Sequence, residues 1–204
     1  MDAPSRPGVD AVAGNAAPAE RSARDVGFRG KPWFWWSWPV LVAADLWSKA
    51  AVFTFLAERS PPTLPEAHRP AYVVFDGIVS LRLVSWGNPG TIWGLLPDAT
   101  TALTVIRCVA VVGLFWFLRN ASRQAKLQHL VLGLILAGAV GNLYDNFTRA
   151  DRTVRDFLRF TGTWPVEWGF PAFNVADSCI TVGAIGLFLL LWREDRAASR
   201  KRVS

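Results

Sequence analysis

Residues 127–144 read LQHLVLGLILAGAVGNLY, and Asp145 and Asn146 follow directly. The block holds one ionisable side chain before Tyr144, His129 near its start. A helix of about 20 apolar residues crosses the hydrocarbon core of a bilayer. A buried helix of a soluble bundle is the other reading of one such block. Three more blocks, at about 33–57, 101–118 and 174–192, argue for the membrane. The expected fold is an all-α membrane protein with four transmembrane helices and a small extracytoplasmic β-element.

Composition agrees. The 204 residues are 51% hydrophobic and 19% charged, whereas soluble domains carry about 25% charged residues. The 11 Trp suit side chains at a membrane–water boundary. Two Cys exclude a disulfide framework, and two His exclude a His-rich metal cluster. The net charge of +6 would suggest nucleic acid on a soluble chain. Here the cations flank the apolar blocks, and no nucleic-acid motif is present.

Cation placement predicts orientation. Arg21, Arg24, Arg29 and Lys31 precede the first block. Arg119, Arg123 and Lys126 join the second and third. Arg193, Arg196, Arg200, Lys201 and Arg202 follow the fourth. Four spans put these three segments on one side, which should be cytoplasmic. Residues 1–32 lack a signal-peptide core and are expected to be a disordered cytoplasmic tail. Residues 33–193 form the membrane domain, and 194–204 a basic cytoplasmic tail. The links at 58–100 and 145–173 then face outward. In the first, 71–75 and 80–84 flank Asp76-Gly77, a hairpin signal. In the second, Val154, Phe157 and Leu158 fit either a strand or a short helix.

Ionisable groups in apolar spans need a reason. Asp45 and Lys49 are four apart on one helix face, so a structural ion pair and a catalytic pair both fit. Arg107 can snorkel outward and receives no role. Asn142 and Asp145 share a helical face, as do Asn174 and Asp177. Asp156 joins them from the second outer link, and Gly138, Ala139 and Gly141 permit close helix approach. Two neighbouring carboxylates share a proton. The ionised one can activate water while the protonated one donates to a carbonyl, which hydrolyses an amide without metal. A proton path remains an alternative, as does a helix N-cap at Asp177. Zinc-protease and serine-hydrolase signatures are missing, and Cys108 and Cys179 read as inert thiols within spans.

These blocks resemble the bacterial signal peptidase II (lipoprotein signal peptidase) family. Asp45-Leu46-Trp47-Ser48-Lys49 is similar to its Asp-x-x-(Thr/Ser)-Lys block. Asn88-Pro89-Gly90-Thr91-Ile92-Trp93-Gly94 is similar to its Asn-x-Gly-Ala-Ala-Phe-Gly block. Residues 138–145, with Val154-Arg155-Asp156-Phe157, resemble its Gly-Asn-Leu-x-Asp-Arg and Val-Val-Asp-Phe blocks. Residues 173–178 match Phe-Asn-x-Ala-Asp-Ser.

The resemblance implies an aspartic endopeptidase of the bacterial inner membrane, with an extracytoplasmic site and cytoplasmic termini. Asp156 and Asp177 would be catalytic. Asn88, Gly90, Asn142, Asp145, Asn174 and Ala176 would bind substrate or support the site, and Asp45 and Lys49 would be structural. The substrates would be prolipoproteins whose cleavage-site Cys carries diacylglycerol, with membrane lipids as further partners. No metal, no organic cofactor and no nucleic acid is expected, and the chain should be a monomer. Two alternatives stay open: a degenerate homologue that binds lipoproteins without cutting them, and a small proton-coupled carrier. Asn146 stands where the family has Arg, and Arg155 replaces an apolar residue. Arg155 is expected to lower the pKa of Asp156 or to stand in for the missing Arg. Thr91-Ile92-Trp93 is bulkier than the family's Ala-Ala-Phe.

Overall fold

The computed structural model describes residues 27–89 and 100–203. Gly90 and the bulky residues Thr91, Ile92 and Trp93 lie outside the described residues. Four long helices appear where the apolar blocks predicted them: α1 (Pro32–Glu58), α2 (Thr100–Asn120), α3 (Lys126–Thr148) and α4 (Val175–Val203). Each has a stretch long and apolar enough to cross a membrane. At 27 residues, α1 is about 40 Å long. The helix α4 runs through the boundary expected at 193, because nothing in 193–203 is a Gly or Pro that would stop it. Residues 27–31 also depart from the expected tail. Gly27 N donates to the Arg119 carbonyl at 2.9 Å, and Lys31 Nζ donates to the Leu118 and Arg119 carbonyls. Both contacts reach carbonyls in the last turn of α2, where intrahelical N–H donors run out.

The helix α3 is the hub. It packs against α1, α2 and α4, and 61% of its most apolar window is buried, against 6% for that of α2. The other helices turn large apolar side chains outward, among them Trp36, Trp47, Val112, Trp116 and Phe188. Such a surface suits lipid and not water. Lipid gives helices no hydrophobic reason to associate, so close approach and polar contacts must hold them. Gly138 supplies the approach of α3 to α4: a Cβ there would collide with the Ala176 carbonyl. Gly141 does the same towards α1, where a Cβ would lie 2.5 Å from Asp45 Oδ2. At the end remote from the sheet, Phe34, Leu114, Leu118, Leu132 and Leu136 form an apolar core between α1, α2 and α3.

The links at the other end build an antiparallel sheet in the order β1 (Tyr72–Phe75), β2 (Val79–Asn88), β3 (Val154–Gly162) and β4 (Trp168–Gly169). The hairpin predicted around Asp76-Gly77 is β1–β2, with Ser80 Oγ donating to Asp76 Oδ1. The second link, left between strand and helix, is a strand: β3 pairs with most of β2. Leu83 faces Leu158 and Trp86 faces Asp156, so β2 carries one extra residue between them. Such a bulge re-aims the side chains beside it. Here it sits next to Asp156 and brings Asn88, two residues past Trp86, diagonally onto the same carboxylate.

Candidate active site

Two elements present the paired carboxylates. Asp156 comes from β3 and is 1% exposed. Its Oδ2 accepts from Asn88 Nδ2 at 2.8 Å, and its Oδ1 from Asn174 Nδ2 at 2.7 Å. Asp177 lies in the first turn of α4. Its Oδ2 accepts from the Asn174 backbone N–H at 3.1 Å, and its own N–H donates to Asn174 Oδ1 at 2.9 Å. That exchange is a capping box. The N-cap is therefore Asn174, not Asp177, whose carboxylate is the box's returning partner. Asp177 Oδ1 accepts from Asn142 Nδ2 at 2.9 Å. Asn174 thus touches both carboxyl groups, and its Nδ2 also approaches Asn142 Oδ1 at 3.2 Å.

Beneath this pair lies a buried charge cluster. Lys49 Nζ meets Asp45 Oδ2 at 2.7 Å, Asp145 Oδ2 at 3.2 Å and Asn142 Oδ1 at 3.0 Å, all fully buried or nearly so. A lysine donates only, so it fixes the Asn142 amide with its oxygen inward and its NH2 towards Asp177. Asp45 Oδ1 accepts the Ala176 N–H at 2.8 Å, tying α1 to the start of α4. Asp45 and Lys49 form the ion pair that their spacing predicted, with Asp145 as a third member. Buried Ala176 contributes its backbone here.

Arg155 does not act as expected. It clamps Asp145, with its backbone N at 3.0 Å from Oδ2 and its Nε and Nη2 at 2.9 and 2.7 Å from Oδ1. Asp156 is not lowered: burial, reinforced by the negative field of Asp177, pushes it up to about 7 against the opposing hydrogen bonds of Asn88 and Asn174. The cation that reaches the position of the missing Arg is Arg107 of α2, whose Nη1 donates to Asn146 Oδ1 at 2.6 Å. Arg107 lies within the electrostatic reach of both Asp156 and Asp177, so it turns inward and does not snorkel away. Asn146 also donates to the Arg152 carbonyl at 2.6 Å and lines a cavity of about 280 Å3 with Thr104 and Arg152. A lone Arg in an apolar block carried no signal for this contact, because its partner is 39 residues away.

The structure therefore brings together Asn88, Asn142, Asp145, Asp156, Asn174, Ala176, Asp177, Asp45 and Lys49. Of the candidate residues, Gly90 alone lies outside the described ones. Among the described residues no group of three or more His, Cys, Asp or Glu is arranged to hold a metal.

Residues 38–193 match the family model described as signal peptidase (SPase) II. The chain belongs to this family. Similar proteins include the lipoprotein signal peptidase of Anoxybacillus flavithermus, 32% identical over 77% of this chain and 83% of that protein. That of a Sulfurihydrogenibium species is 33% identical over 77% and 90%. That of Symbiobacterium thermophilum reaches 38% identity over 60% of this chain and 76% of its own. The fold is also that of a bacterial membrane enzyme solved by the in meso method at 1.9 Å. It superposes with a TM-score of 0.62 at 24% identity, over 82% of this chain and 96% of that one. The four blocks that carried the family resemblance, apart from residues 90–94, converge on the cluster described above.

Proposed function

We propose that the chain is a membrane-embedded aspartic endopeptidase that removes signal peptides from diacylglyceryl-modified prolipoproteins. The observation that carries the reading is the amide lattice joining two carboxyl groups, one of them buried with a pKa of about 7. At neutral pH Asp156 holds a proton for a large part of the time, and Asp177 is its partner carboxyl group. A water between them gives its proton to Asp177 and attacks the scissile carbonyl while Asp156 donates its proton to the carbonyl oxygen. On collapse Asp177 passes its proton to the leaving amine, the C–N bond breaks, and Asp156 takes a proton back from a hydroxyl of the intermediate. Asn88, Asn142 and Asn174 hold the carboxyl groups in place, so the geometry needs little rearrangement during the reaction.

The substrate's diacylglyceryl chains would reach the site sideways through the lipid, which gives an enzyme for one peptide bond a reason to be membrane-embedded. The sheet end would face out of the cell. The opposite end, with Arg119, Arg123, Lys126 and both termini, would face the cytoplasm, and one chain would suffice for the reaction. Against a carrier stands the apolar core of Phe34, Leu118, Leu132 and Leu136. Among the described residues it leaves no run of polar groups from the cluster to the far end, which a proton path would need.

The test is incubation of the purified protein with a precursor bearing the diacylglyceryl group and with the same precursor lacking it. Signal-peptide release from the first and not the second supports the proposal. Binding of the modified precursor without release would leave a non-cutting homologue instead.

A further inference from the structure

A second cluster lies on the sheet, apart from the aspartates. Arg82 of β2 stands directly opposite Arg159 of β3 in the antiparallel register. Like charges in directly opposed positions destabilise a strand pair unless something neutralises them. No carboxylate among the described residues lies within ion-pair distance of either guanidinium. The Nε of each is buried and has no hydrogen-bond partner, a costly state for a charged donor. Two acids, Asp76 and Glu167, lie on the groove wall, and Asp76 accepts from Ser80 at the hairpin.

The surroundings form a groove of about 710 Å3, lined by both arginines with Ser80, Thr161 and Thr163. Glycines shape it. Trp168 lies against Gly162, where a Cβ would collide with the indole, and a Cβ at Gly169 would stand 3.4 Å from Arg159 Nη2. The Arg159 guanidinium also lies over Trp86, 4.6 Å from the ring centroid, a cation–π contact. Two forked donors with hydroxyl neighbours match an oxyanion that can accept several hydrogen bonds at once. None of these groove residues bonds to Asp156 or Asp177.

We propose that Arg82 and Arg159 form a binding site for one phosphate-class oxyanion. The phosphodiester of an anionic phospholipid headgroup and free inorganic phosphate share the required chemistry. Bound between the arginines, the anion removes their repulsion and accepts from their guanidinium N–H groups. The site is independent of the peptidase reading.

The experiment is thermal melting of the full-length protein in neutral detergent with three additions: inorganic phosphate, short-chain phosphatidylglycerol, or chloride at matched ionic strength. Near saturation, a bound anion should raise the melting temperature by about 5 °C over chloride. The variant R82Q/R159Q should lose that rise, and in chloride it should melt no lower than the wild type, since the repulsion is gone. A rise with both probes means that the site takes the group free or on lipid, and a rise with phosphatidylglycerol alone identifies the headgroup as the ligand. Where the double variant does not fold, R82Q alone should halve the rise or more. No rise over chloride with either probe, or an undiminished rise in the variants, overturns the proposal.

Discussion

Lys49 donates to the side-chain oxygen of Asn142 at 3.0 Å, and both side chains are sealed from solvent. This contact sets the face that Asn142 turns to Asp177. It also makes one lysine the counter-ion of two carboxylates, Asp45 and Asp145.

Removing that lysine should be costly. Lys49→Met leaves Asp45 buried without a cation, and losing one partner of a buried pair costs about 3–5 kcal/mol. Asp145 keeps Arg155, so Asp45→Asn combined with Lys49→Met should recover much of the loss. Thermal melting in detergent measures both. Equal stability of Lys49→Met and wild type would contradict this role for the cluster.

Asn142→Ala removes a donor to Asp177 without touching either aspartate. Hydrogen bonds to charged groups contribute about 1.5–3 kcal/mol, so kcat should fall about 10- to 100-fold with little change in KM. Steady-state cleavage of a lipidated precursor reads the split. A change confined to KM would make Asn142 a substrate contact instead.

Asp156 predicts a pH signature in stability. Unfolded, its carboxyl ionises near 3.8, and folded, near 7. Between those values the unfolded chain holds fewer protons, so this group lowers stability as pH rises from about 4 to 7. The loss is about 4 kcal/mol at most. Asp156→Asn should therefore melt higher than wild type at pH 8, and the gap should close towards pH 4. A gap that does not vary with pH would contradict the raised value.

Arg107→Gln removes a cation from the field of both aspartates. A nearby cation favours the ionised carboxylate. In the proposed reaction loss of the Asp156 proton ends activity at high pH, so without Arg107 that alkaline limb should move to higher pH. The rate near neutrality should change as well. A profile unmoved on the pH axis would show that Arg107 acts through Asn146 packing alone.

The four helices were legible because apolar length is a local property of the chain. So was the β1–β2 hairpin, whose Asp76-Gly77 turn lies between β-prone runs. The strand β3 was not, because Phe157-Leu158 breaks the alternation and its partner strand lies some 70 residues upstream. That Asn142 shares a face with Asp145, and Asn174 with Asp177, could be read from helical spacing. Which acid Arg155 would choose could not, since Asp145 and Asp156 are both within its reach along the sequence. Arg107 was invisible for the same reason: its purpose depends on how α2 packs against α3, which hydropathy does not encode.

The proposed reaction needs Asp156 and Asp177 together on one water. It is tested most directly by cleavage of a diacylglyceryl-modified precursor by Asp156→Asn and Asp177→Asn, each shown to be folded and membrane-inserted. Either substitution alone should abolish signal-peptide release, while binding of the precursor persists. Release at the wild-type rate by either variant would contradict it.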